Sequence, residues 1–381
     1  MESAKMMTEK KQENKLNIAV LFGGRSGEHA VSLESAKFVL SQLNPEKYTI
    51  IPVGITRQGE WYSGQDVLDA MQAGRIDSLT PVSMLPVPGK STLYRVEESQ
   101  PVSKFADVDV FFPVLHGTFG EDGTLQGLFE MAEVAYVGGG VTGSSVGMDK
   151  GVFFDVMRAN QIPVVDTILV LRSEMESDVD AVLEAVEVLG DYPYFVKPAN
   201  LGSSVGISKV RNRSDLMEGL MEAAAYDRRV VVQKGLNVRE IEVSVMGNDQ
   251  PKASVCGEVL PGEEFYSYDA KYHDDSSRTV IPAEIPVELS ERIRAMAVKA
   301  YKACDLAGLA RVDFFIDRNS GEIYLNELNT IPGFTNISMY PMLWKASGVD
   351  NMDLIDQLVG YALERKAQRD ATKRTFERGR A

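Results

Sequence analysis

Arg311-Val312-Asp313-Phe314-Phe315-Ile316 and Ile323-Tyr324-Leu325-Asn326-Glu327-Leu328-Asn329 flank the turn-forming segment Asp317-Arg318-Asn319-Ser320-Gly321-Glu322. Two apolar-alternating runs around such a segment predict a β-hairpin. Val312, Phe314 and Ile316 then point one way and Arg311, Asp313 and Phe315 the other, while Ile323, Leu325, Glu327 and Asn329 share a face. With residues 318–322 as the loop, Asp313 lies opposite Glu327, and Arg311 opposite Asn329. Like charges facing each other destabilise a sheet. Two acids and an amide oxygen converging in this way suit a hard cation, which takes oxygen ligands. A solvated charged face in a slipped register suits them equally, and the hairpin by itself leaves both open.

The rest of the chain decides what surrounds this hairpin. At 381 residues it is long enough for two or three domains, and 44% hydrophobic with 25% charged residues is the composition of a soluble globular protein. A net charge of −15 argues against non-specific binding to nucleic acid or acidic membranes. Cys256 and Cys304 have neither metal-site nor disulfide-framework spacing, which fits a reduced, cytoplasmic protein. No apolar run approaches a membrane span, residues 1–15 read as a polar disordered tail, and 364–380 as a basic, fraying helix.

Strands over 17–22, 48–55 and 108–115 alternate with helices to about 43 and over 124–133, which predicts an α/β unit on a parallel sheet. Ligands in such sheets bind beyond the carboxyl ends of the strands, where Gly23–His29 and His116–Gly123 lie. Residues 62–104, with Pro81, Pro86, Pro88 and Pro101, read as an irregular peripheral insertion. A second block, 139–234, holds strands near 167–171, 194–197 and 229–233, and helices after Lys150 and near 214–225. A third begins at 235, with strands over 240–246 and 253–259, an aromatic loop over 261–281, a helix over 288–304, and the hairpin. Loops of that length in compact domains are lids or disordered, and Phe265, Tyr266, Tyr268 and Tyr272 favour a lid.

Tyr194-Phe195-Val196-Lys197-Pro198-Ala199-Asn200-Leu201-Gly202-Ser203-Ser204-Val205-Gly206 is a strand ending in a lysine, then a glycine- and serine-rich loop able to cradle phosphate oxygens. It lacks the Gly-Lys-Ser/Thr closure of a P-loop. Met148-Asp149-Lys150 places a second lysine at a loop-to-helix corner. Gly138–Gly143 formally matches G-x-G-x-x-G, but no helix is expected before Lys150, so a dinucleotide fold is disfavoured. Gly-Ser-Ser-Val-Gly occurs at both 143–147 and 202–206, which leaves open whether Ser144 or Ser203 matters. After the hairpin, Gly333 offers an N–H to a developing oxyanion, and Ser338 precedes a helix N-terminus suited to a carboxylate.

In their order along the chain, Gly23–Ser32, His116–Gly127, Met148–Lys150, Gly202–Gly206, Tyr268–Tyr272 and Asn326–Gly333 resemble the ATP-grasp ligases, specifically the D-alanine–D-alanine ligases, over about 17–348. The resemblance implies a three-domain ATP-grasp architecture, α/β with α+β character in the ATP-grasp part. Its divisions would be the tail 1–15, an N-terminal parallel-sheet substrate domain 16–138, a central subdomain 139–234, a C-terminal subdomain 235–365 with lid loop 261–281, and a basic tail 366–381. It implies ATP-dependent joining of two D-alanines for peptidoglycan precursor synthesis. A substrate carboxylate attacks the γ-phosphate to give an acyl phosphate, and a second substrate's amine then attacks its carbonyl.

By motif, Asp313, Glu327 and Asn329 would hold two Mg²⁺ ions, with Mn²⁺ as a substitute. Lys150 and Lys197 would contact the triphosphate, Glu240 the ribose, and Gln233-Lys234 the adenine. An acidic residue often stands at Gln233, and a glutamine oxygen can accept the same hydrogen bond. Arg311, with the Gly333 N–H, would stabilise the transferring phosphoryl group and the tetrahedral oxyanion. Glu28 would bind the first ammonium with His116 close by, and Lys271 and Ser338 the second carboxylate. Ser203 rather than Ser144 would link Glu28 to Tyr272, and Tyr272 matches the dipeptide-forming kind. D-alanine–D-lactate or D-alanine–D-serine ligation and a non-catalytic nucleotide-binding protein are the rival readings. A homodimer is expected.

Overall fold

The computed structural model describes residues 15–202, 205–260 and 278–375. Their strands form three sheets. The first has eight strands, in the order Ser103–Asp107, Thr92–Arg95, Thr80–Met84, Trp61–Ser63, Tyr48–Ile55, Leu16–Gly23, Val110–Pro113 and Ala135–Tyr136. Leu16–Gly23 is its parallel heart, flanked by Tyr48–Ile55 and Val110–Pro113. Ile18, Val20 and Phe22 enter one apolar cluster and Ala19 and Leu21 another. Burial on both faces explains why this strand is an unbroken apolar run. The expected insertion at 62–104 is instead an antiparallel extension of this sheet, so the sheet is mixed. Strands this short, one with Pro81 near its start, carry too few residues for a two-residue period to be read.

The second sheet is antiparallel, in the order Ser208–Val210, Tyr194–Pro198, Arg229–Lys234 and Thr167–Leu171. Tyr194, Val196, Val230 and Val232 pack on Leu183 of helix Val179–Glu187 and on Leu216 and Leu220 of helix Arg213–Tyr226. Lys197, Val231 and Gln233 therefore belong to the other face.

The third sheet runs Arg278–Val280, Lys252–Leu260, Val238–Gly247, Gly308–Asp317 and Ile323–Asn329, all antiparallel. Ile241, Val243, Val312 and Phe314 pack against Ile293 and Ala297 of helix Val287–Ala303 and against Phe153 and Phe154 of helix Lys150–Ala159. That leaves the opposite face, with Arg311 and Asp313, for chemistry. The expected loop 261–281 is thus shorter at its end, because Arg278–Val280 is an edge strand; residues 261–277 lie outside the described residues. The tail 1–15 lies outside them too, apart from Lys15.

A helix over Val141–Met148 occupies the glycine- and serine-rich stretch expected to be a turn. Its propensity is low, and packing supplies what the sequence lacks. A Cβ on Gly143 would stand 2.9 Å from the Asp305 carbonyl oxygen, and one on Gly308 (φ +73°) would stand 3.0 Å from the Gly138 nitrogen. The glycines of 138–143 thus permit close backbone approach to the turn before Gly308–Asp317, which accounts for the formal dinucleotide fingerprint without a nucleotide. Residues 364–370, expected to fray, are the last turns of helix Asn351–Asp370, where Arg365 and Arg369 both bind Glu130.

Candidate active site

In the hairpin, Arg311 pairs with Asn329 and Asp313 with Glu327, as the sequence suggested. The outer pairs do not follow the same count: Phe314 faces Leu325 and Ile316 faces Ile323. A one-residue bulge at Asn326 reconciles the two. It also changes the face assignment, because Ile323 and Leu325 lie in the core while Glu327 and Asn329 stand beside Asp313 on the other face. The alternation read from sequence put all four on one face. A bulge is an insertion in phase that a strict two-residue period cannot register.

Glu242 sits opposite Asp313 on the neighbouring strand, so Glu242, Asp313 and Glu327 form a row across three strands. Arg311 offsets this repulsion. Its Nε and Nη2 donate to Asp313 Oδ1 and Oδ2 at 2.8 and 2.7 Å, and Nε lies 2.9 Å from Glu242 Oε2. Burial opposes the charge on Arg311, but Asp313 and Glu242 outweigh it and hold the guanidinium firmly protonated. Asn329 Nδ2 donates to Asp313 Oδ2 at 2.9 Å, so its carbonyl oxygen turns away from that carboxylate. Glu242 was not foreseen from sequence. The signal was there in the Glu240-Ile241-Glu242 alternation, which puts both acids on one face.

The turn after the hairpin is held by two buried devices. His116 Nδ1 donates to the Ile331 carbonyl at 2.9 Å, which makes Nε2 the acceptor of the Ser35 hydroxyl, also at 2.9 Å. Ser35 Oγ in turn accepts the Phe334 N–H at 3.2 Å. Burial lowers the pKa of His116 and keeps the ring neutral, in agreement with this donor pattern. Both ring nitrogens are therefore spent on holding the 331–334 turn. Glu121 supplies the second device, accepting the Gly117 N–H at 2.7 Å and the Ile331 N–H at 2.9 Å. Burial, with the Glu28 charge, pushes its carboxyl up to about 8, while the two N–H donors and Arg311 act the other way. Glu121 lay within the His116–Gly127 motif but was assigned no role from sequence.

Gly333 and Ser338 meet across this turn. A Cβ on Gly333 would stand 3.2 Å from Ser338 Oγ, and that hydroxyl accepts the Thr335 N–H at 3.0 Å. Ser338 precedes helix Met339–Ala346 without capping it by its side chain. Glu28 comes to the same region by close packing. Its Oε2 would lie 2.6 Å from a Cβ on Gly117 and 2.8 Å from one on Gly202, so two glycines make room for one carboxylate. Gly202 immediately precedes Ser203, which lies outside the described residues together with Lys271 and Tyr272. Ser144 is buried in its helix at 1% exposure, and its hydroxyl has no partner among the described residues.

Lys150 opens its helix, donates Nζ to the Leu201 carbonyl at 2.7 Å and is 9% exposed, so it is no solvated lysine. Asp149 caps that helix through the Val152 N–H at 3.0 Å and accepts Asn200 Nδ2 at 3.0 Å, with Arg229 on the same carboxylate. Lys197 Nζ donates to Gln233 Oε1 at 2.7 Å. Lys234 is not brought to this group, because its Nζ runs to the other face, 3.8 Å from the position of a Gly190 Cβ. Glu240 stands opposite Phe315, on the same face as Glu242.

Residues 17–139 match a family model described as D-ala D-ala ligase N-terminus, and residues 156–360 match one described as D-ala D-ala ligase C-terminus. The chain belongs to the D-alanine–D-alanine ligase family. The D-alanine–D-alanine ligase of Heliobacterium modesticaldum is 49% identical over 94% of this chain and 98% of that protein. That of Natranaerobius thermophilus is 46% identical over 95% and 99%. Among solved structures, the ligase from Coxiella burnetii gives a TM-score of 0.79 at 35% identity, covering 93% of this chain and 96% of its own. The VanG D-Ala:D-Ser ligase of Enterococcus faecalis gives 0.82 at 36%, covering 92% and 100%. Among the described residues no helix is long and apolar enough to cross a membrane.

Proposed function

We propose that the protein joins two D-alanines to D-alanyl-D-alanine, using ATP and releasing ADP and phosphate through an acyl phosphate. The observation that carries this reading is Arg311. It is held charged between Asp313 and Glu242, and its charge acts on both His116 and Glu121, which fix the turn leading to Gly333. A rigid guanidinium next to a fixed N–H donor suits a phosphoryl group in transfer and then a tetrahedral oxyanion. Glu28, seated between Gly117 and Gly202, takes the ammonium of the first D-alanine. The uncapped N-terminus behind Ser338 suits the second carboxylate. Lys150 and Lys197 border the glycine loop on which phosphates would lie.

The donor set fits Mg²⁺. Among the described residues no three His, Cys, Asp or Glu side chains stand close enough to hold an ion unaided. Asp313, Glu327 and the Asn329 oxygen would complete a shell shared with phosphate oxygens, which is how Mg²⁺ is usually bound in phosphoryl-transfer sites. There it would neutralise charge on the β- and γ-phosphates. The reading carries with it a cytoplasmic homodimer serving peptidoglycan precursor synthesis.

The deciding assay supplies ATP, Mg²⁺ and D-alanine and measures dipeptide and phosphate. D-lactate and D-serine, each offered with D-alanine, test the second site, and the likeness to VanG makes D-serine the sharper competitor. Preferential D-alanyl-D-serine formation would overturn the substrate assignment. ATP binding with no product would favour the non-catalytic reading.

A further inference from the structure

Asp313 faces two competing demands. Its oxygens accept Arg311 Nε at 2.8 Å, Arg311 Nη2 at 2.7 Å and Asn329 Nδ2 at 2.9 Å. In the ligase reading the same oxygens bind Mg²⁺, which demands near-ideal octahedral geometry from its ligands. A metal ion and a guanidinium on one carboxylate repel each other, the more so away from bulk water. Metal loading therefore loosens the clamp that Asp313 keeps on Arg311.

A second acceptor for the guanidinium is already in place. Glu242 stands opposite Asp313 on the neighbouring strand, and its Oε2 lies 2.9 Å from the same Nε. Nε carries a single N–H, and that hydrogen is directed at Asp313 Oδ1. A small rotation of the guanidinium redirects it to Glu242 with little displacement of the side chain. The Arg311 and Glu242 side chains are only 18% and 12% exposed, so water is a poor substitute acceptor. For a resting salt bridge one carboxylate is enough, and Asp313 already gives both of its oxygens. A second acid directly across the strands adds repulsion to the sheet. Its place on the same nitrogen is explained by a state in which Asp313 is otherwise engaged.

We infer that Glu242 is a positioning residue: it takes the Arg311 Nε–H when Asp313 turns to Mg²⁺, so that the guanidinium stays in the site throughout. The inference rests on the ligase reading and on its assignment of Mg²⁺ to Asp313.

The test is made on binding, with ADP and Mn²⁺ as probes. Calorimetry gives the dissociation constant of ADP in EDTA and in saturating Mn²⁺, and the ratio of the two measures what the cation adds. Glu242→Asp keeps the charge but draws the carboxylate back by one methylene, whereas Glu242→Leu removes charge and acceptor together. The ratio is expected to fall about tenfold in both variants, as when a metal ligand loses a supporting partner. A ratio within twofold of the wild type in Glu242→Asp overturns the inference, because charge alone would then account for position 242. If Glu242→Leu does not fold, the aspartate variant decides by itself. A crystal structure of the wild type with Mg²⁺ and ADP reads the handover directly. Arg311 Nε hydrogen-bonded to Glu242 supports it. Mg²⁺ on Asp313 with Nε still bonded to Asp313 overturns the inference alone, and Mg²⁺ held away from Asp313 overturns the metal assignment with it. Absence of D-alanine-dependent turnover in the wild type overturns the ligase reading, an outcome that neither binding readout mimics.

Discussion

Glu121 shows how one carboxyl can both brace the site and make the molecule sensitive to pH. Its oxygens accept two backbone N–H groups, one from each loop that it joins. Burial and the nearby Glu28 raise its pKa to about 8 from a carboxylate's ordinary 4.5. The native state therefore binds this proton more tightly than the unfolded chain does. The stability so gained is complete below about pH 4.5 and is lost as the pH climbs through about 8. Unfolding free energies of the wild type, from denaturant titrations at pH 5.5 to 8.5, should fall at up to about 1.4 kcal/mol per pH unit from this group. Glu121→Gln should remove that slope. An identical slope in the variant would assign the proton elsewhere. Arg311 was legible from its place in the hairpin; Glu121 was not, since a Glu-Asp-Gly turn looks the same whether its acid is solvated or buried.

At the scale of elements, the hairpin and the glycine loop were legible for different reasons. The Asp313–Glu327 pairing followed from counting across the turn, and it holds because the bulge at Asn326 repays a one-residue shortfall nearer the loop. Bulges, short prolyl strands such as Thr80–Met84 and the helix Val141–Met148 were hidden because packing creates them against local preference. The contact between Glu28 and the glycine loop was hidden as well, since the two segments are far apart in sequence. It yields a direct test. In Gly202→Ala the new methyl would stand 2.8 Å from Glu28 Oε2, so one of the two must move. The expected outcome is at least a tenfold fall in kcat/KM for D-alanine, read in steady-state assays, with a melting temperature within a few degrees of the wild type. A variant with unchanged kinetics would show that the site does not depend on this contact.

At the scale of the molecule, the first and third sheets share one core, into which helix Asn351–Asp370 sends Leu354, Ile355, Leu358, Val359 and Ala362. Its far end is pinned by a polar lock. Arg365 donates to Glu130 Oε1 at 3.0 Å and lies 4.8 Å over the Tyr136 ring, whose hydroxyl donates to Glu130 Oε1 at 2.6 Å. Arg365→Ala removes the ion pair and the ring contact together from a largely buried place. Urea denaturation should show a loss of about 2 kcal/mol, with KM for ATP unchanged because the lock touches none of the proposed site residues.

The same helix orders events in time. Synthesis is vectorial, at roughly 5–20 residues per second, and domains fold as they emerge. The strands of the first sheet leave the ribosome well before Asn351–Asp370, yet the apolar surface they share with the third sheet is closed by that helix. Until it arrives, a nascent chain carries an open seam of Val, Phe and Ile side chains, the kind of surface that recruits chaperones. In this architecture the last described helix is the keystone, and the earlier sheets wait for it.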